Sequence, residues 1–364
     1  MVRVLIVHAT AGAGHQKAAE AILHGLKNHT PYDVSLLDIL DYSSPLFKSL
    51  YRKTYFLLIS KFPQVWAFFF GLLDVPFLQP LVRWARRLYN ALNVGKFHKL
   101  LIEGQYDCVI STHFMPTEIA SALKRKGLIK SKLITVITDY DAHRIWISEG
   151  IDAYAVATDW TKNKVMSLGI SEEKIHVTGI PTDEKFGKSV DVSDLKRKLG
   201  LQENVFTVLA ATGSFGIGPI EDIIAGLNDA QTQIVVVCGH NEELFKRLEA
   251  KKNTLIKPLA YVDNMHELMA VSDVMVTKPG GLSISECLVS QLPMIFFSAI
   301  PGQETNNIKV LAEYGIGLKG FTVDEIIKHV QDLKSSRDQF LTTMKRIKDI
   351  ARPNAVKDII KLIG

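Results

Sequence analysis

The sequence predicts an α/β protein made of two doubly wound, Rossmann-like domains that face a cleft. Short runs rich in Val and Ile alternate with helix-patterned stretches along the whole chain, as βαβ units with buried parallel strands require. The alternation runs twice, once before and once after the stretch TGIPTDEKF at 178–186. A length of 364 residues is also long for one core and natural for two.

In the first series, Arg3–His8, Val34–Asp38, Cys108–Thr112, Leu133–Thr138 and Ala153–Ala157 read as strands, with helices at Gln16–Asn28, Pro116–Gly127 and Thr161–Leu168. In the second, Thr207–Thr212, Ile234–Cys238, Leu255–Pro258, Val274–Thr277 and Met294–Phe297 read as strands, each followed by a helical stretch. The joint falls near 182–190. Residues 1–182 form the first domain, 183–345 the second, and 346–364 a Lys- and Ile-rich terminal helix for which the first domain is a packing surface.

A content of 47% apolar and 22% charged residues is that of a folded globular chain. Cys108, Cys238 and Cys287 stand singly in apolar surroundings without CxxC spacing, as reduced core thiols do in a reducing compartment. The opening MVRVLIVHATAGAGH reads as a first strand and a glycine loop, not as a secretory signal. The longest apolar run, Val65 to Leu73, is far shorter than the ~20 residues that span a bilayer, so the protein is expected to be soluble or peripheral.

One segment breaks the βαβ rhythm. Residues 46–103 carry thirteen of the 31 aromatics, and nine Lys or Arg against two acids, although the whole chain is only +5. Trp66, Phe69 and Trp84 lie among Arg83, Arg86 and Arg87. An ordinary helical insertion with core aromatics is one reading. The other is an interfacial element, with rings at headgroup depth and cations on anionic lipid; WAFFF holds more apolar surface than one helix face hides.

Three glycine-containing loops run from a strand into a helix. The first, Gly12-Ala13-Gly14-His15, lacks the third glycine of a dinucleotide fingerprint, since position 17 is Lys. His15 is either a plain helix-start residue or a base whose pKa lies near working pH, able to take a proton from an attacking hydroxyl. The second loop, with Gly213, Ser214, Phe215 and Gly216, offers backbone amides to a diphosphate. The third spans Lys278, Gly280, Gly281, Leu282 and Ser283 to Glu286; the spacing of Ser283 and Glu286 fits a capping box, or else Glu286 accepts ribose hydroxyls. Gln303, Glu304 and Asn307 suit polyol hydroxyls or a solvated loop. The D-x-D spacing of Asp139 and Asp141 reads as chance rather than as a cation site, because the phosphate loops offer charge stabilisation without a metal.

Together, GAGHQKAAEAI, ITDYDAHRIWISEGIDAYAVATDWTK, VTGIPTDEKF and KPGGLSISECLVSQLPMIFFSAIPGQETNN resemble glycosyltransferase family 28, of the GT-B fold, over nearly the whole chain. More narrowly, they resemble the processive diacylglycerol glucosyltransferases and monogalactosyldiacylglycerol synthases. The resemblance implies His15 as the base, Gly14 in the UDP-sugar site, and Gly213–Gly218 and Lys278–Gly281 facing the diphosphate. It also implies Tyr261 and Val262 at the uracil, Glu286 at the ribose, and Gln303, Glu304 and Asn307 at the sugar. His113 and Asp139 would face the acceptor, and segment 46–103 would meet the membrane. GSFGIGPI departs from the family's commonest loop, and Asp141 has no counterpart. The implied reaction is inverting transfer of glucose or galactose from a UDP-sugar to diacylglycerol, without metal or other cofactor and without a nucleic-acid partner. The implied place is peripheral, on the cytoplasmic side of an anionic cell membrane. Rival readings are a UDP-GlcNAc transferase acting on a polyprenyl-diphosphate sugar, and a UDP-sugar epimerase.

Overall fold

The computed structural model describes residues 1–10, 12–82, 84, 93–211, 218–227, 231–297, 299–320 and 322–364, with Arg52 and Phe56 as backbone alone. The chain divides into two compact units. The first is Met1–Asp183 with Ile300–Asn307 and Arg352–Gly364; the second is Glu184–Ala299 with Ile308–Ala351.

The first unit is built on a six-stranded parallel sheet of β1 (Arg3–His8), β2 (Asp33–Asp38), β3 (Cys108–Ser111), β4 (Lys132–Val136), β5 (Ala153–Val156) and β6 (Ile175–Val177), in the order β2-β1-β3-β4-β5-β6. Val4 to Val7 of the inner strand β1 are wholly buried, which is why that strand is a continuous apolar run rather than an alternating one. Strand β6 has three residues at the sheet edge. A run that short carries no pattern, and the sequence reading passed over it.

On one face of this sheet, Ala19, Ile22 and Leu26 from the helix Ala13–His29 pack with Ile359 and Ile363 from the chain end over Ile6, Ile110 and Val136. Gly25 lets the helix Ala355–Lys361 come this close, because a Cβ there would collide with Val356. On the other face Leu5, Val7, Val109 and Tyr154 pack against Phe97, Ile119 and Trp146.

Segment 46–103 opens with the helix Pro45–Lys61, started by the Ser44 side chain, and the helix Pro63–Leu72, bent from it by 113°. Pro63 enforces the break: it has no N–H for the preceding turn and is tolerated only in the first turn of a new helix. No residue of the helix Pro63–Leu72 is buried. Among the described residues no single helix is long and apolar enough to cross a membrane.

The second unit carries β7 (Phe206–Ala211), β8 (Thr232–Val237), β9 (Ile256–Leu259), β10 (Val274–Thr277), β11 (Met294–Phe296) and β12 (Leu318–Lys319), all parallel, in the order β12-β11-β10-β7-β8-β9. Read from the other edge this is the 3-2-1-4-5-6 order of a dinucleotide-binding sheet. Val208, Val236, Val276 and Ile295 form its core with Ile223, Ile224, Ile326 and Val330 from flanking helices. Strand β12 is a two-residue edge strand, again below what a pattern reveals.

Candidate active site

In doubly wound sheets ligands bind outside the carboxyl ends of the strands, where the strand order reverses. In the first unit that point lies between β1 and β3. His15 stands there, at the third position of the helix Ala13–His29, whose N-cap Gly12 provides no side-chain cap. Its Nδ1 lies 2.8 Å from the carbonyl oxygen of Thr112, just past β3, and 2.8 Å from Oγ1 of Thr138, just past β4. A carbonyl oxygen only accepts, so Nδ1 carries the proton and donates it. Nε2 is therefore the bare acceptor, and among the described residues it makes no hydrogen bond.

Burial pushes the His15 pKa down to about 4, against a smaller upward pull from the hydrogen bond to Thr112. The expectation of a pKa near working pH is thus corrected: desolvation keeps the imidazole neutral throughout the physiological range. The ring is always ready to accept a proton, though less eager to hold it. The Thr112 hydroxyl donates to the carbonyl of His15 and ties the helix start to the end of β3.

His113 is buried and meets His15 edge-on, with ring centroids 4.8 Å apart. Its Nδ1 accepts from the amide of Met115 and caps the helix Phe114–Arg125, so the ring supports the site from below. Trp146 closes the same wall, with its ring 6.1 Å from His15.

Asp139, after β4, is buried, and burial raises its pKa against hydrogen bonds that lower it, those from Gln303 and Trp146 first. Nε2 of Gln303 donates to both carboxylate oxygens, at 3.0 and 3.2 Å. Asn307 is wholly buried, and its side-chain oxygen accepts from the amides of Tyr140 (2.8 Å) and Asp141 (3.4 Å). Asn306 donates to Asp141 at 2.8 Å. Glu304 accepts from the amide of Ile300 and shapes its own turn. Gln303 and Asn307 therefore hold the 139–141 turn, while Gly14 sits beside His15 in the first turn of its helix. Among the described residues no group of three His, Cys, Asp or Glu is placed to hold a metal ion.

Trp66 is half-buried, between Tyr55 and Phe70, at centroid distances of 5.4 and 5.7 Å. Phe69 and Trp84 are exposed, as are Phe68 and Phe77. Arg83, Arg86 and Arg87 lie outside the described residues. Phe70 links this element to the site. Its carbonyl accepts from Nε2 of His143, its ring lies 4.2 Å from that imidazole, and it packs at Gly302, whose φ of +88° calls for glycine.

In the second unit the order reverses between β7 and β10. The loop after β7, with Gly213, Ser214, Phe215 and Gly216, lies outside the described residues. After β10, Lys278 and Pro279 lead to Gly280, the N-cap of the helix Gly281–Val289, again without a side-chain cap. Leu282 and Ser283 thus lie inside the first turn, and the capping-box reading of Ser283 and Glu286 is not realised. Glu286 sits in the second turn, half-buried. Uncapped first-turn amides and the positive end of the helix dipole suit a phosphate. Tyr261, exposed, stacks on His240 with centroids 4.9 Å apart and planes at 10°; Val262 follows it, half-buried.

The sequence reading missed Thr112, Thr138, Trp146 and His240. The two threonines end strands it did find, which was a usable signal. The other two become visible only once distant segments meet.

Two doubly wound parallel sheets of this kind place the protein in the GT-B fold class. MurG of Acinetobacter baumannii superposes with a TM-score of 0.64 at 14% identity, covering 100% of this chain and 99% of that one. A UDP-GlcNAc 2-epimerase from Neisseria meningitidis, bound to UDP-GlcNAc, gives 0.62 at 14%, covering 99% of each. At that identity both likenesses speak for the fold alone. The family model for monogalactosyldiacylglycerol (MGDG) synthase matches residues 15–182, and that for the glycosyltransferase family 28 C-terminal domain matches 208–363. The processive diacylglycerol beta-glucosyltransferase of Staphylococcus aureus strain Newman is 31% identical over 378 positions, covering 100% of this chain and 93% of the relative. The chain belongs to glycosyltransferase family 28, within the family of the processive diacylglycerol glucosyltransferases and monogalactosyldiacylglycerol synthases.

Proposed function

We propose that this protein transfers a hexose, glucose or galactose, from a UDP-sugar to the hydroxyl of diacylglycerol with inversion, making a glycosyl-diacylglycerol. The observation that carries this reading is the kinship with a diacylglycerol glucosyltransferase along the entire chain, from the His15 helix to the end. The geometry supplies the chemistry. The acceptor oxygen bonds to the anomeric carbon as the bond from that carbon to the UDP oxygen breaks. Nε2 of His15 takes the hydroxyl proton, and the electron pair leaves with UDP. Charge growing on the diphosphate meets the amides at the start of the helix Gly281–Val289 and the ammonium of Lys278.

Tyr261 and Val262 bracket the uracil, with His240 stacked behind the tyrosine, and Glu286 accepts the ribose hydroxyls. Gln303 and Glu304 meet the donor sugar, and Asn307 acts by holding the turn that carries Asp139. The protein sits peripherally on the cytoplasmic face of the membrane, where UDP-sugars are made. Exposed Phe68, Phe69, Phe77 and Trp84 favour that place, together with the cations of segment 46–103.

His15→Ala tests the mechanism. Turnover should fall by roughly 10²–10⁴-fold, the usual contribution of a general base, while UDP affinity by calorimetry changes less than about twofold. Wild-type turnover in that variant would remove His15 from the reaction.

A further inference from the structure

Three segments of the first unit meet around Phe70 and His143: the end of the helix Pro63–Leu72, the turn after β4, and residues 300–307. The Phe70 carbonyl belongs to the last turn of its helix, where carbonyls lack partners along the helix. The amide of Asp74, which would continue the ladder, turns to the carbonyl of Gly71 instead (3.0 Å). His143 fills the gap, buried, with Nε2 2.9 Å from the Phe70 oxygen. Its Nδ1 accepts from the amide of Ile145 at 3.0 Å and caps the short turn Arg144–Trp146. An amide only donates, so Nδ1 is bare and Nε2 carries the proton that is shared with Phe70. Asp74, just past the helix, adds a second pin by accepting from the amide of Arg144 at 3.1 Å.

The same pin reaches the site. The Phe70 ring lies against His143, and a Cβ on Gly302 would stand 3.0 Å from it. The amide of Gly302 donates to Oγ1 of Thr305, and the next residue, Gln303, donates to both oxygens of Asp139. A shift of Phe70 toward the turn thus meets backbone, which yields less than a side chain does. A second contact runs in parallel. The pKa of the Tyr55 phenol, edge-on to Trp66, is raised by burial and then by the charges of Glu304 and Asp139. The transfer described above gives His143 no task, although it is polar and only 7% exposed.

We propose that His143 is a positioning residue for the transfer: it fastens the helix Pro63–Leu72 to the turn 300–307, so that seating this helix in a lipid surface aligns Gln303 with Asp139. The proposal rests on the hexosyltransferase reading above and on the interfacial place of that helix. His143 takes no part in bond making and acts through Phe70 and Gly302. Lipid restrains the helix, the helix restrains the turn, and the entropy cost of aligning the sugar contacts falls.

Side-chain length separates the two bonds of His143. Asn reaches only as far as Nδ1 and keeps the cap on Ile145, as a preferred cap residue. Gln reaches as far as Nε2 and keeps the donor to Phe70. In the first arm, kcat is measured with diacylglycerol in phosphatidylcholine–phosphatidylglycerol vesicles. His143→Asn should lower kcat at least fivefold, with KM for the UDP-hexose and vesicle co-sedimentation within twofold of wild type, and His143→Gln should restore kcat to within twofold. Equal kcat in both variants, or a greater loss in His143→Gln, would show a cap and nothing more, and would overturn the proposal. Loss of co-sedimentation in His143→Asn would also overturn it, since His143 would then belong to the anchor. The second arm needs no turnover: amide hydrogen exchange of residues 300–307 is followed with and without the same vesicles, free of diacylglycerol and UDP-sugar. Vesicles should slow exchange at least threefold in wild type and in His143→Gln, and not in His143→Asn. Exchange that ignores vesicles in wild type, or slows equally in His143→Asn, contradicts the coupling. A wild-type protein that transfers no hexose to diacylglycerol would sink the hexosyltransferase reading, whereas the exchange arm still decides whether lipid contact reaches the turn.

Discussion

His15 illustrates how a residue's role is set by what its other side is doing. The Thr112 carbonyl claims the proton on Nδ1, and this leaves Nε2 as the acceptor. With a pKa of about 4, the acid limb of kcat/KM should lie near pH 4 and not near 6.5; a pH–rate profile measures this directly. Stability has its own sign. Between about pH 6.5 and 4 the unfolded chain binds a proton at this position and the folded one does not, so unfolding is favoured as pH falls through that window. Denaturant unfolding of His15→Gln should show a shallower loss of stability over the same range. Asn307→Ala should cost about 1–3 kcal/mol in thermal unfolding, because the buried amides of Tyr140 and Asp141 lose their acceptor. His15 and Asp139 were legible in the sequence because they stand at a helix start and a strand end. Their partners were not: Gln303 reaches Asp139 from 164 residues away, and no local pattern encodes that meeting.

At the scale of elements, the helix Pro63–Leu72 is apolar, without buried residues, and held at its carboxyl end by the bond from His143 to the Phe70 carbonyl. A face held in place and left uncovered by the described residues suits an interface with lipid. Replacing Phe68 and Phe69 together by Ser removes about 3 kcal/mol or more of apolar transfer, roughly a hundredfold in partitioning. Vesicle co-sedimentation should fall accordingly, while the far-UV circular dichroism stays unchanged. Changing Arg83, Arg86 and Arg87 to Glu should remove the preference for anionic vesicles over neutral ones in the same assay. The composition of this segment was plain in the sequence. Its break into two helices at 113° was readable only from Pro63, and the short edge strands β6 and β12 gave no period to read.

For the molecule as a whole, two six-stranded parallel sheets, each with a reversal of strand order, were foreshadowed by the alternation of Val/Ile runs with helical stretches. The packing of the chain end on the first unit depends on Gly25 facing Val356, which no composition reveals. Gly25→Leu should therefore destabilise the protein by about 1–3 kcal/mol through overpacking, seen as a lowered Tm. The central claim is hexosyl transfer to a lipid hydroxyl, and the most direct measurement is product analysis. The pure protein is incubated with liposomal diacylglycerol and, in separate reactions, UDP-glucose, UDP-galactose or UDP-GlcNAc, and the lipid extract and the nucleotide-sugars are examined by mass spectrometry and NMR. The account predicts hexosyl-diacylglycerol together with an equivalent of UDP. Lipid that stays unmodified while UDP-GlcNAc is epimerised at C2 would contradict it.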